Sequence, residues 1–227
     1  MENEYRQRAF PAQLELVQEA ADGSESTPAR RIAGLSIPTN ERSLPVATLN
    51  GRKVFEVIAP EAIESALKRN RDAGETLIMK WNHDPHTLLA STENGSLRVR
   101  MTDRGLESEA DLPDTQLARD VATLVAGGYV TKQSFGYVPL RERASFDSAT
   151  DSYVMTVQDM VLVEISPVAQ PAFRGTDLST RSRSAIEALG EHEGPPESTA
   201  QPHVEPEQDA PAAMPESYYT LLEDDLN

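Results

Sequence analysis

Two of the four histidines, His83 and His86, lie three positions apart in the stretch WNHDPH, behind the apolar run LIMKW. Either of two chemistries could use them, binding a metal or moving a proton, and a third role is simply to fill space. A histidine pair three apart shares one metal when it sits on a helix, and Pro85 argues against a helix here. A zinc site also needs a third and fourth ligand. The remaining histidines, His192 and His203, lie far away in an acidic C-terminal stretch. The spacing therefore speaks against a metal. Asp84 and Pro85 should end the strand before them, which places His83 at a rim where its ring can meet a substrate or serve only to close the core.

A proton-moving histidine needs a partner. In KQSFGYV, alternation puts Gln133, Phe135 and Tyr137 on one face and Ser134 and Gly136 on the other. Ser134 is either an ordinary strand serine beside a glycine bulge or a nucleophile with open space next to it. A serine hydroxyl is a weak nucleophile until a base takes its proton, and imidazole, with a reference pKa of about 6.5, is the usual base. A third signal is Glu164, which interrupts the apolar strand MVLVEIS. A carboxylate in such a strand is costly unless it is paired or faces water from an edge. It can also orient an imidazole and stabilise the imidazolium.

The elements that must position these residues read mostly as strands. Candidates are 14–18, 31–37, 76–81, 88–91, 96–101, 106–112, 129–138, 152–157 and 160–166, separated by turn signals such as Asn94-Gly95 and Arg104-Gly105. PEAIESALKRN reads as a helix opened by Pro60. DTQLARDVATLVAGG reads as a second, with Leu117, Val121, Leu124 and Val125 on one face, Asp114 as N-cap and Gly127 as stop. A last helix should begin near Ser182. Many strands with few helices imply an α+β fold, with a mostly antiparallel, barrel-like core.

The 227 residues include no cysteine, which excludes disulfides and thiolate chemistry. The formal net charge is -16, which argues against nucleic acid as a partner. The charge is uneven, since residues 191–227 hold ten acidic side chains and no Lys or Arg. That Pro- and Glu-rich stretch is expected to be disordered. Its end, SYYTLLEDDLN, carries a small apolar island that reads either as a frayed terminus or as a docking motif. No run of about 18 apolar residues appears, so no transmembrane helix is expected, and the opening MENEYRQRAF lacks the apolar core of a signal peptide. A soluble intracellular protein is expected, with no cofactor and no membrane partner.

Three segments together, NHD at 82–84, SFGY at 134–137 and VLVEISPVAQPAF at 161–173, resemble in order and spacing the prohead maturation proteases of HK97-like tailed bacteriophages. The likeness extends to RIAGLSIPTNERS, to FEVIAPEAIESAL, which resembles the family's segment leading into a helix, and to DRGLESEADL. It covers about residues 12–176. It implies a serine endopeptidase with a herpesvirus-assemblin-like β-barrel, working in the host cytoplasm inside the assembling prohead. Its substrates would be scaffold, or the scaffolding segment of the major capsid protein. By position it implies Ser134 as nucleophile and His83 as general base, with Glu164 as third member and Asp159 and Asp84 as competitors for that place. His86 becomes a neighbour without an essential role. Oxyanion donors would be backbone N–H groups, with 166–169 the candidate stretch. The implied organisation is a peptidase domain over 1–180, a short helix or linker over 181–190 and the acidic stretch 191–227, with self-cleavage near RSRSAIEALG. Two rivals remain: a protease-like assembly protein without activity, and a metal-dependent hydrolase.

Overall fold

A computed structural model of the chain describes residues 5–10, 14–17, 30–169 and 180–189. The acidic stretch 191–227, with its expected disorder and docking motif, lies outside the described residues. Along the chain come β1 (Arg6–Phe10), β2 (Leu14–Val17), β3 (Arg31–Pro38), β4 (Ala47–Leu49), β5 (Arg52–Ile58) and α1 (Pro60–Ala73). They are followed by β6 (Ile78–Met79), β7 (Ala90–Ser91), β8 (Leu97–Thr102), β9 (Gly105–Asp111), α2 (Gln116–Ala126), β10 (Lys132–Asp147), β11 (Ser152–Val168) and α3 (Thr180–Glu187). No helix among the described residues is long and apolar enough to cross a membrane.

The strands form two sheets. One has the order β1-β10-β11-β5-β4, with β6 and β7 joined alongside β11, and the other has the order β2-β3-β9-β8. The mixed α+β character matches expectation, and most pairings are antiparallel. Two are not: β11 runs parallel to β5 and to β6. Neither sheet closes on itself among the described residues, so the expected barrel is replaced by two open sheets that share one core. Ile32 and Ile37 from the smaller sheet, Phe135, Tyr137 and Ile165 from the larger, Ile63 from α1 and Val121 from α2 belong to one buried cluster. Each such large apolar side chain contributes about 1.5–3 kcal/mol relative to exposure.

Local chemistry sets the ends of the helices. Pro60 starts α1, its missing N–H costing nothing there, and Gly74 closes it at φ 65, a left-handed conformation that suits glycine. The Glu75 N–H then reaches back to Asn70 O at 2.8 Å. In α2 the cap is Thr115, whose side chain accepts from Ala118 N at 3.2 Å, rather than Asp114. Asp114 instead pairs with Arg119 at 2.7 Å and Arg30 at 3.2 Å. Gly127 follows the helix with an ordinary φ of -79, and the left-handed residue is Gly128 at φ 72.

Two strands expected at 152–157 and 160–166 are one strand of 17 residues. The polar pair Gln158-Asp159 reads as a break, but register irregularities on β10 around Arg141 absorb it. Asp159 is satisfied there by Ser65 at 2.6 Å and Arg69 at 2.9 Å, both on α1. Conversely, the strand expected over 76–81 shrinks to two residues, because the chain turns away at Lys80 to form the loop that carries His83.

Candidate active site

His83 stands on this loop, four residues beyond the end of β6 rather than on a strand. Asn82 and His83 both adopt left-handed backbone conformations, at φ 52 and φ 61. Asparagine tolerates this conformation well, whereas histidine there stores strain that its surroundings must hold. They do so with several contacts. Asn82 N donates to Pro167 O at 3.1 Å, and Asn82 Oδ1 accepts from Ala169 N at 2.9 Å. His83 N donates to Ser166 Oγ at 3.3 Å. Thr87 closes the loop base, accepting from Trp81 N at 3.0 Å and donating to Asp84 O at 2.9 Å. The end of β11 therefore fixes the position of the imidazole.

The bulge that aims Glu164 lies in the same strand. Gly136 faces Glu164 across β10 and β11, and Tyr137 faces Leu162, so Val163 is the extra residue. Regular alternation, as the sequence suggests, would put Leu162 and Ile165 on opposite faces. The bulge sends both into the core, at 2% and 0% exposure, and leaves Glu164 and Ser166 on the face that meets His83. Glu164 is thus fully buried in the middle of a sheet, and the alternative of a solvent-facing edge glutamate does not apply.

The three expected residues converge. Ser134 Oγ lies 2.6 Å from His83 Nε2, and His83 Nδ1 lies 2.5 Å from Glu164 Oε1. A carboxylate on Nδ1 holds the ring proton there and leaves Nε2 free to accept. Two further groups fix the carboxylate. Ser166 Oγ donates to Glu164 Oε2 at 2.6 Å, and the Tyr5 hydroxyl donates to Oε1 at 3.0 Å. Burial by itself would raise the Glu164 pKa, but the hydrogen bond and electrostatic attraction from His83, with the hydrogen bonds from Ser166 and Tyr5, outweigh it and hold the carboxyl below its ordinary value. Tyr5 shows the counterpart: its burial and the neighbouring carboxylate, only partly opposed by Gln7, push the phenol up to about 12, so it stays a donor. Gly136 makes room for both, since a Cβ there would fall 2.0 Å from the Tyr5 hydroxyl and 2.5 Å from Glu164 Oε1.

The competitors are occupied elsewhere. Asp159 pairs with Arg69 and Ser65 on α1, and Asp84 accepts from His86 N at 2.9 Å within the turn. The His86 ring is exposed and joins neither Ser134 nor Glu164. No group of three or more potential metal ligands forms among the described residues. In the stretch considered for oxyanion donors, Ala169 N is taken by Asn82, and residues 166–168 pair in register with 132–134. Sequence reasoning missed Tyr5 and Ser166. The serine two positions after Glu164 was a usable signal, because strand spacing puts both on one face; nothing local pointed to Tyr5. A concavity of about 620 Å³ lies on the β2-β3-β9-β8 sheet, beside Arg98, Arg100 and Glu107, and includes none of the converging residues.

Comparison with known proteins adds three findings. A family model described as caudovirus prohead serine protease matches residues 18–190. The solved structure of the bacteriophage T4 capsid assembly protease gp21 matches over 72% of this chain and 96% of that chain, at a TM-score of 0.48 and 10% sequence identity. No curated protein matches the chain.

Proposed function

The chain belongs to the caudovirus prohead serine protease family, and from that premise we propose that it is an endopeptidase with Ser134 as nucleophile, His83 as general base and Glu164 as the carboxylate behind the base. The observation that carries this reading is the continuous line of short contacts, 2.6 Å from Ser134 Oγ to His83 Nε2 and 2.5 Å from His83 Nδ1 to Glu164 Oε1. In the first step Ser134 Oγ attacks the scissile carbonyl carbon while His83 Nε2 takes its proton. Glu164 stabilises the imidazolium, which then protonates the leaving amine. Water, activated by the same imidazole, hydrolyses the acyl-enzyme.

The substrates are scaffold, or the scaffolding segment of the major capsid protein, inside the assembling prohead in the host cell. The chain itself is a further substrate, cut near residues 181–190. We assign residues 1–180 to the peptidase domain, 181–190 to a connecting helix and 191–227 to an acidic extension. Co-expression with capsid protein and scaffold, followed by intact-mass spectrometry, tests the reading. The wild-type chain should yield shortened substrates and lose its own C-terminal stretch, and Ser134→Ala should leave every chain at full length. Shortened substrates at wild-type levels with Ser134→Ala would refute it; loss of cutting on adding a chelator would favour a metal-dependent hydrolase.

A further inference from the structure

At eight residues, α3 is too short to be stable in water on its own, where helices below about 12–15 residues are marginal. It is held by one face. Ser182 and Ile186 are buried, Ala185 and Leu189 are half-buried, and Arg183, Ser184 and Glu187 face solvent. Positions 182, 185, 186 and 189 make the stripe by which a helix packs on a surface. Ile186 shares a buried cluster with Leu49, Val54, Tyr153 and Met155, apart from the core that holds Phe135 and Ile165. At the other end of the stripe, Ser182 Oγ accepts from Arg6 at 3.0 Å and donates to Glu142 at 3.3 Å. The segment is therefore docked and helical, or undocked and without a stable helix.

This is the segment proposed as the chain's own cutting site, and while docked it is out of reach. Glu142, which Ser182 touches, lies eight positions after Ser134 on β10, about 25 Å along the strand. The peptide groups of the segment are also committed. Ala188 N donates to Ser184 O and Leu189 N to Ile186 O, both at 3.0 Å. A second copy of the chain escapes the first obstacle but still meets the second. Proteolysis of a folded segment proceeds through its local opening, and its rate tracks the opened population when opening is fast.

We infer that docking of α3 regulates self-cleavage: residues 181–190 become a substrate only when α3 leaves its seat, and Ile186 sets how often that happens. The inference rests on the proposed roles of Ser134 as nucleophile and of this segment as its substrate. A cut within the helix is also irreversible in effect. Neither fragment keeps the whole stripe from Ser182 to Leu189, so neither redocks as α3 does.

The test uses isotope-labelled Ser134→Ala chain as substrate and unlabelled wild-type chain as enzyme, with cut positions read by mass spectrometry. Ser134→Ala/Ile186→Ala is the second labelled substrate. Synthetic peptides of residues 178–192, with and without Ile186→Ala, show whether the substitution alters recognition of the sequence itself. Trypsin cutting after Arg183 reports docking independently of Ser134. The Ile186→Ala chain should be cut by the wild-type chain and by trypsin at least about tenfold faster, because truncating a buried isoleucine shifts the docking equilibrium by that factor or more. The two peptides should be cut at rates within about twofold of each other, and faster than the same bonds in the unaltered chain. Ser184→Pro, at an exposed position, breaks the helix without touching its seat and should also accelerate cutting, so the test survives if Ile186→Ala unfolds the chain more widely.

Equal cutting of the peptide and the unaltered chain would overturn the inference. So would an Ile186→Ala chain that admits trypsin at Arg183 while cutting by the wild-type chain is unchanged. If the wild-type chain shortens capsid protein or scaffold yet cuts neither chain nor peptide within 181–190, the inference falls and Ser134 keeps its role. If it cuts nothing at all, the role of Ser134 fails and the inference with it.

Discussion

Gly136→Ala is a small change with a calculable consequence. Its backbone is not left-handed, so the substitution is purely steric. The new Cβ would lie 2.0 Å from the Tyr5 hydroxyl, 2.6 Å from Tyr5 Cζ and 2.5 Å from Glu164 Oε1. Taking roughly 3.4 Å as a comfortable contact, Tyr5 must retreat by about 1.4 Å and the Glu164 carboxylate by about 0.9 Å. Tyr5 keeps 45% of its surface exposed and can swing outwards. Glu164 has no exposed surface, and it can move only by stretching its 2.5 Å contact to His83 or its 2.6 Å contact from Ser166. Overpacking of this kind costs about 1–3 kcal/mol. A shift of about 1 Å in a catalytic geometry costs about a hundredfold in rate. The expected result is a lower melting temperature together with kcat/KM on a peptide substrate reduced by about two orders of magnitude, mostly in kcat. The double variant Tyr5→Ala/Gly136→Ala separates the two effects. It removes the contacts with Tyr5 but not the one with Glu164, so it should restore much of the stability and little of the rate. A Gly136→Ala protein with kcat/KM within about twofold of wild type would refute the claim that the carboxylate behind this glycine positions the base.

Two further predictions follow from the same contacts. Asp159→Asn should lower the melting temperature, because Arg69 and Ser65 lose an ionised partner, and should leave the cleavage rate within about twofold of wild type; a rate loss comparable to that of Glu164→Gln would move the third catalytic role to Asp159. The Glu164 carboxyl is held below its ordinary value of 4.5 in the folded chain, so its contribution to stability is complete above about pH 4.5 and is lost as pH falls through the lower folded value. Urea midpoints of wild type and Glu164→Gln should therefore converge as pH drops below 4.5, and a constant difference from pH 7 to about pH 3 would count against the shift.

The candidate residues could be singled out from local signals, but those signals left structural roles open. Their assignment as nucleophile, base and carboxylate came only from the resemblance in order and spacing of three segments. Ser134 beside Gly136, a carboxylate interrupting an apolar strand, and a histidine ahead of Asp-Pro can each be read from neighbours in sequence. Their convergence could not be read that way, since it depends on β6 lying parallel to β11 at Ile78 and Glu164, a pairing between segments 86 residues apart. The bulge at Val163 was hidden for a related reason: MVLVEIS satisfies simple alternation, and only the need to bury both Leu162 and Ile165 breaks it. The barrel expectation came from counting strands, and a count does not say whether the edges meet. β1 escaped notice because RQRAF alternates charge with little apolar content. Arg8 is buried and Arg6 partly buried by pairing with Glu56 and Glu142, which lie 48 and 136 residues away from Arg8 and Arg6.

Steady-state rates for Ser134→Ala, His83→Ala and the double variant, measured on one protein substrate, probe the joint action of serine and imidazole most directly. If His83 serves only to activate Ser134, the double variant should be no slower than either single variant, within about threefold. Losses that multiply, or a Ser134→Ala protein that cleaves at the wild-type rate, would contradict a shared role for the two residues.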